Sequence, residues 1–195
     1  MIDEIINKIK ETILIKPFCI AAVDGCGGSG KSTLARQIVS KYGSGQIIHM
    51  DDFYKPSNER VHMEMSKKES GADYDIKRLL YDVINPITNA MEARYQSYDW
   101  EADKLTKWHT VQPSGLLIVE GVYSISDQLY NKYDIKIFVE CNKKLRLKRG
   151  LERDGANALD LWSQWMIGED KYLQEQKPQN RANFIISGEK NINIG

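Results

Sequence analysis

The chain is short of cysteine and of long apolar runs, and it has no excess of charge of either sign. Its three cysteines, Cys19, Cys26 and Cys141, are far apart and form no CxxC or Cys/His ligand spacing. That excludes a zinc site of the usual spacing and a disulfide framework, and fits a reducing compartment. No stretch reaches the length a membrane helix needs, and the N-terminal MIDEIINKIKETILIKPF lacks the apolar core of a signal peptide. A cytoplasmic protein without a membrane partner is expected. Lys+Arg and Asp+Glu both number 27, for a net charge of +0, which argues against a nucleic-acid partner.

What is present is ordinary globular composition, with 42% hydrophobic and 28% charged residues over 195 positions. One domain spanning 1–195 is expected. Ile2, Ile5, Ile6, Ile9 and Ile13 recur at helical spacing, so residues 2 to about 14 read as an amphipathic helix. The apolar runs FCIAAVD, QIIHM, GLLIVEG, YDIKIFVEC and ANFIIS read as strands. Between them lie helical patterns: KSTLARQIVSKY, DIKRLLYDVINPITNAME (interrupted at Pro86), NKKLRLKRGLERD and LDLWSQWMIGEDKYLQEQ. The alternation predicts an α/β fold with a mainly parallel five-stranded sheet flanked by helices. Residues 92–114 break it and read as a hairpin-like insertion; residues 142–158 read as a helical lid.

The stretch VDGCGGSGKST carries the strongest chemical signal. Gly25, Gly30, Lys31 and Ser32 satisfy G-x-x-x-x-G-K-[ST], placed between an apolar strand and a helix as a P-loop requires. Gly25, Gly27, Gly28, Ser29, Gly30, Lys31, Ser32 and Thr33 would surround the phosphates of ATP. Their amides and a helix N-terminus favour negative charge there. Lys31 would neutralise the β/γ-phosphates, Ser32 would coordinate Mg²⁺, and Glu120, closing a strand, is the second metal-associated candidate.

Binding phosphate leaves hydrolysis and transfer both open. NKYD at 131–134 matches a guanine-reading pattern but precedes a strand rather than following one, so it is read as a chance match. Asp51 and Asp52 close the second strand, at the edge where the cradle lies, and one of them could accept a proton from an acceptor hydroxyl. On an extended backbone only one of the two would face the substrate. The same pair could instead serve as a turn or helix cap.

Taken in order, DGCGGSGKST, HMDDFYKP, GADYDIKRL, YQSYDW, LLIVEGVY and KLRLKRGLERD resemble the uridine kinase-like family of P-loop small-molecule kinases, from about residue 18 to 187. The resemblance implies an ATP- and Mg²⁺-dependent kinase acting on a hydroxyl of a small metabolite, most naturally a ribose-containing one. It implies Asp51 as general base and Tyr54 in the acceptor pocket. Tyr74 and Asp75 would hold ribose hydroxyls, and Tyr98 and Trp100 would flank the base; the last two could equally form a small core of the hairpin. Asp103 falls near the position where uridine kinases carry a histidine, and His109 lies on the opposite strand. Arg146, Arg149 and Arg153 lie three and four apart on one helix face, which could simply be solvated; Arg146 and Arg149 match the family's lid pattern R-L-x-R, where they would meet the transferring phosphate. A regulatory nucleotide-binding protein without transfer activity, or an ATPase or GTPase with a macromolecular partner, are the alternative readings.

Overall fold

A computed structural model describes residues 1–189; positions 190–195 of the expected domain lie outside the described residues. Five strands form one parallel sheet: β1 (Phe18–Asp24), β2 (Gln46–His49), β5 (Gly115–Glu120), β6 (Ile135–Glu140) and β7 (Phe184–Ser187), in the order β2-β5-β1-β6-β7. Every residue of β1 is buried, as expected of a central strand covered on both faces. From β1 the chain builds toward β2 on one side and β6 on the other. The crevice at the C-terminal end of β1 is therefore the switch point where ligands of open α/β sheets bind.

One face of the sheet is covered by α1 (Ile2–Ile15) and α2 (Lys31–Tyr42), through Ile5, Ile9, Leu34 and Ile38. On the other face Phe53, Leu79, Val83, Ile87 and Tyr172 form a second core. That core draws on α3 (Ile76–Leu79), α4 (Asn85–Thr88) and α6 (Leu159–Glu175), whereas α5 (Lys143–Asp154) flanks the phosphate loop. The helical segment from 76 to 88 is interrupted, but ahead of Pro86: a π-turn spans Leu80–Ile84, and Pro86 sits in the first turn of α4. A proline ring cannot donate to the preceding turn and clashes with its carbonyl, and widening that turn relieves both problems.

The insertion is a hairpin of β3 (Ala93–Asp99) and β4 (Lys104–Val111). Its tip is tied down by Asp103, which accepts from Tyr98 Oη (2.6 Å) and the Ser57 amide (3.0 Å). His109 stacks on Tyr95 and contacts Ser97 (3.1 Å). Both residues near the base-reading position are thus committed to holding the hairpin. Asp134, the end of NKYD, accepts from the Ile20 amide (2.8 Å) and Lys16 (2.6 Å) ahead of β6. It joins the starts of two strands, at the edge away from the phosphate loop.

Candidate active site

The loop between β1 and α2 is shaped by close approach. At Gly28 φ is +75°, and a Cβ there would lie 2.5 Å from the Arg146 carbonyl oxygen. At Gly25 φ is +151°, and a Cβ would lie 2.6 Å from the Val139 carbonyl oxygen. Side chains are therefore sterically barred at both points. Within the loop Ser29 is fully buried and its hydroxyl has no hydrogen-bond partner. An orphaned donor inside a glycine cradle fits an anion such as a nucleotide phosphate.

The metal-associated candidates meet. Ser32 Oγ donates to Glu120 Oε2 (3.2 Å), and His49 Nδ1 lies 2.6 Å from Glu120 Oε1. Burial alone would raise the Glu120 pKa, but the His49 bond, the charges of Lys31 and His49, and the Ser32 bond outweigh it and hold the carboxyl ionised. The bond to Glu120 in turn raises the His49 pKa. A hydroxyl and a carboxylate are the oxygen donors that Mg²⁺ takes alongside phosphate and water. His49 went unnoticed in the sequence because a histidine closing a short strand carries no motif.

Asp51 and Asp52 do not sit on extended chain as expected. They lie in a 3₁₀ turn, Met50–Phe53, directly after β2. The turn still separates them: Asp51 Oδ1 accepts from Tyr74 Oη (3.3 Å), while Asp52 Oδ2 accepts from Tyr95 Oη (3.0 Å) behind the hairpin. Asp51 lines a cavity of about 530 Å³ together with Lys31. Enclosure by protein raises its pKa, Lys31 opposing this, the charge of Glu120 reinforcing it and Tyr74 opposing it.

The cavity runs from the phosphate loop to an aromatic wall. An isolated antiparallel bridge joins Tyr54 to Tyr74, and their rings meet edge to face at 5.1 Å. Tyr54 also stacks on Trp100 (4.6 Å), and Trp100 meets Trp165 of α6 (6.1 Å). Tyr98 packs behind, against Tyr54 and Trp100, rather than lining the space. Asp75 is not among the lining residues either; its carboxylate caps α3, accepting from the Arg78 amide (3.0 Å). Asp73, two residues earlier, does line the cavity.

The three arginines of α5 occupy three different positions. Arg146 is buried in an ion pair with Glu169 of α6 (2.6 Å). Arg149 donates to the carbonyls of Gly188 (2.8 Å) and Gly28 (3.3 Å). Arg153 reaches the cavity rim, beside Asp154 and Trp162. The wall contributed by α6, with Trp162, Trp165 and Glu169, was missed as part of the site. Its spacing signals only a helix with one buried face.

The phosphoribulokinase / uridine kinase family matches residues 20–183. The chain belongs to that family. It is 31% identical over 177 residues to a uridine kinase of Clostridium botulinum, covering 86% of each chain. It is 25% identical over 197 residues to a nicotinamide riboside kinase of Saccharomyces cerevisiae, covering 89% of this chain and 82% of that one. A solved structure described as a possible uridine kinase from Bacillus stearothermophilus superposes with a TM-score of 0.70 at 22% identity, over 94% of this chain and 99% of the other. As a member of the phosphoribulokinase / uridine kinase family the chain is a small-metabolite kinase, a P-loop phosphotransferase acting on a hydroxyl group. Among the described residues no helix is long and apolar enough to cross a membrane.

Proposed function

We propose that this kinase transfers the terminal phosphate of ATP to a hydroxyl of a nucleoside or similar ribose-bearing molecule. The observation that carries the reading is the position of Asp51. It lies at the junction of the phosphate loop, marked by Lys31, and a cavity walled by Tyr54, Tyr74 and Trp100. Flat rings at such a wall suit a heterocycle, whereas a protein-substrate kinase or a motor would need an open surface.

In this reading ATP supplies the phosphoryl group and Mg²⁺, held by Ser32 and Glu120, supplies counter-charge for it. Asp51 accepts the proton of the acceptor hydroxyl as the new O–P bond forms and the bond to the leaving diphosphate breaks. Tyr74 holds the Asp51 carboxylate in place, and Lys31 offsets charge on the phosphates. Arg149 steadies the loop through Gly28, Arg146 packs its backbone against Gly28, and Arg153 is the lid cation at the rim of the transfer site. Tyr98 supports the aromatic wall, and Asp75 orders the segment that presents Tyr74.

The test is an acceptor panel of nucleosides, ribosylnicotinamide, pantothenate and sugar phosphates, scored by coupled nucleotide consumption, with Asp51→Asn as control. Acceptor-dependent turnover that drops about 10²–10⁴-fold in the variant supports transfer with Asp51 as base. Turnover independent of any acceptor would instead identify a hydrolase.

A further inference from the structure

Four cations line the cavity: Lys31, Lys68, Arg153 and Lys171. Lys31 belongs to the phosphate side. Lys68 is deeply placed, and its ammonium lies 2.8 Å from both oxygens of Asp73; the side chains are only 11% and 7% exposed. Lys171 donates to the carbonyls of Lys68 (2.5 Å) and Ser66 (3.3 Å) and faces Glu175 at 3.8 Å. Arg153 is exposed, paired to Asp154, and lies over the Trp162 ring at 5.7 Å, so its charge is also already partnered. Toward the acceptor, therefore, the buried positive charge is already neutralised, while Asp51 adds a negative one.

We propose that Asp73, by pairing with Lys68 and so withholding its charge, is a specificity-determining residue that restricts the acceptor to molecules without a carboxylate or phosphate group. The inference rests on the kinase reading of the same cavity and narrows it. The fold places the pair deliberately. The Lys55 amide donates to the Asp73 carbonyl (2.9 Å) and the Asp75 amide to the Phe53 carbonyl (2.7 Å), so the bridge at Tyr54 and Tyr74 locks Asp73 beside the aromatic wall. Lys68 comes to it from the preceding loop.

An anionic acceptor could use Lys68 only by displacing Asp73. That would leave a carboxylate buried without a partner, which costs far more than a surface contact returns. It would also bring like charges together near Asp51. A neutral or cationic ring meets no such obstacle, since its faces are received by Tyr54, Trp100 and Trp165 and positive charge is welcome against aromatic faces.

Binding is read from the fluorescence of the cavity tryptophans, with matched probes that differ by one carboxylate: uridine against orotidine, and nicotinamide riboside against nicotinic acid riboside. In the wild-type protein the probe without the carboxylate should bind at least about tenfold tighter in the pair that binds. Asp73→Asn uncovers Lys68 and should bring that ratio down to about threefold or less by strengthening the carboxylate probe. Lys68→Met/Asp73→Leu removes both charges, keeps the wall filled, and should retain the original preference. Equal binding of both probes by the wild-type protein, an unchanged ratio in Asp73→Asn, or no response to any probe overturns the proposal. Phosphoryl transfer is followed in parallel. A binding preference that holds without transfer removes the kinase reading alone; transfer to both members of a pair at equal efficiency removes only the charge filter.

Discussion

Glu169 of α6 bridges the phosphate loop and α5: Oε1 accepts from the Gly27 amide at 2.6 Å, and Oε2 pairs with Arg146 at 2.6 Å. Residue 169 is 4% exposed and so is residue 146, so both charges depend on each other rather than on water. The pair couples α6, α5 and the phosphate loop through a single carboxylate.

Replacing that carboxylate by Glu169→Gln should destabilise the protein by about 3–5 kcal/mol, because it leaves Arg146 buried and uncompensated. Arg146→Met/Glu169→Leu should recover most of that loss, since a packed apolar pair stands in well for a buried ion pair. Nucleotide affinity should be low in the double variant, because leucine, unlike glutamine, offers the Gly27 amide no acceptor. Urea unfolding and tripolyphosphate titration of the same preparations check both statements; recovered affinity would show that Glu169 serves stability alone.

The pH dependence of turnover should carry the mark of Asp51. A general base must be ionised, and enclosure raises the Asp51 pKa above 3.8. Activity should therefore fall, on going to lower pH, earlier than for an ordinary aspartate. Tyr74→Phe removes a hydrogen bond that favours the ionised form, so the acid limb of kcat/KM should move to higher pH. A shift to lower pH, or none, would separate Tyr74 from the base.

Asp24 should shape stability instead. Burial pushes its carboxyl up to about 6 from 3.8, against the bonds it accepts from Tyr172, Ile125 and Gly25. Between those values the folded protein holds a proton that the unfolded chain releases. The stabilisation is complete below the unfolded value and is lost as pH rises through about 6. Asp24→Asn lowers stability throughout by losing acceptor capacity. It should also flatten that downward slope between pH 4 and 6.5, a window of about that width. Denaturation midpoints across the window are the measurement.

Gly150→Ala tests the packing of α5 against α6. Helix propensity favours alanine by about 1 kcal/mol. A Cβ at Gly150, however, would sit 2.3 Å from the Trp162 ring. Overpacking of that kind costs about 1–3 kcal/mol, so the steric effect should win and the variant should be less stable. Trp162 lines the cavity, and its emission should report the displacement; a more stable variant would mean the ring moves aside freely.

Strands, helices and the phosphate loop were legible in the sequence because they rest on local patterns. Apolar runs such as FCIAAVD mark buried strands, and glycines followed by lysine and serine mark a phosphate cradle. The helix from Lys31 to Tyr42 and the hairpin insertion were readable in the same way. The position of the break near Pro86 was not, because a π-turn is a response to strain in the folded helix and has no residue signature of its own.

The site divides along the same line. The sequence alone determined the phosphate loop and the family, since the loop, the D-x-F-Y step and the E-G pair are each short runs of adjacent residues. Only tertiary structure decided which carboxylates line the cavity. Asp51 and Asp73 line the cavity, while Asp52 is bound to Tyr95 and Asp75 caps a helix. It also decided that Arg146 meets Glu169, from a helix more than twenty residues onward. Charge pairing across such separations depends on how whole elements pack, and no local spacing encodes it.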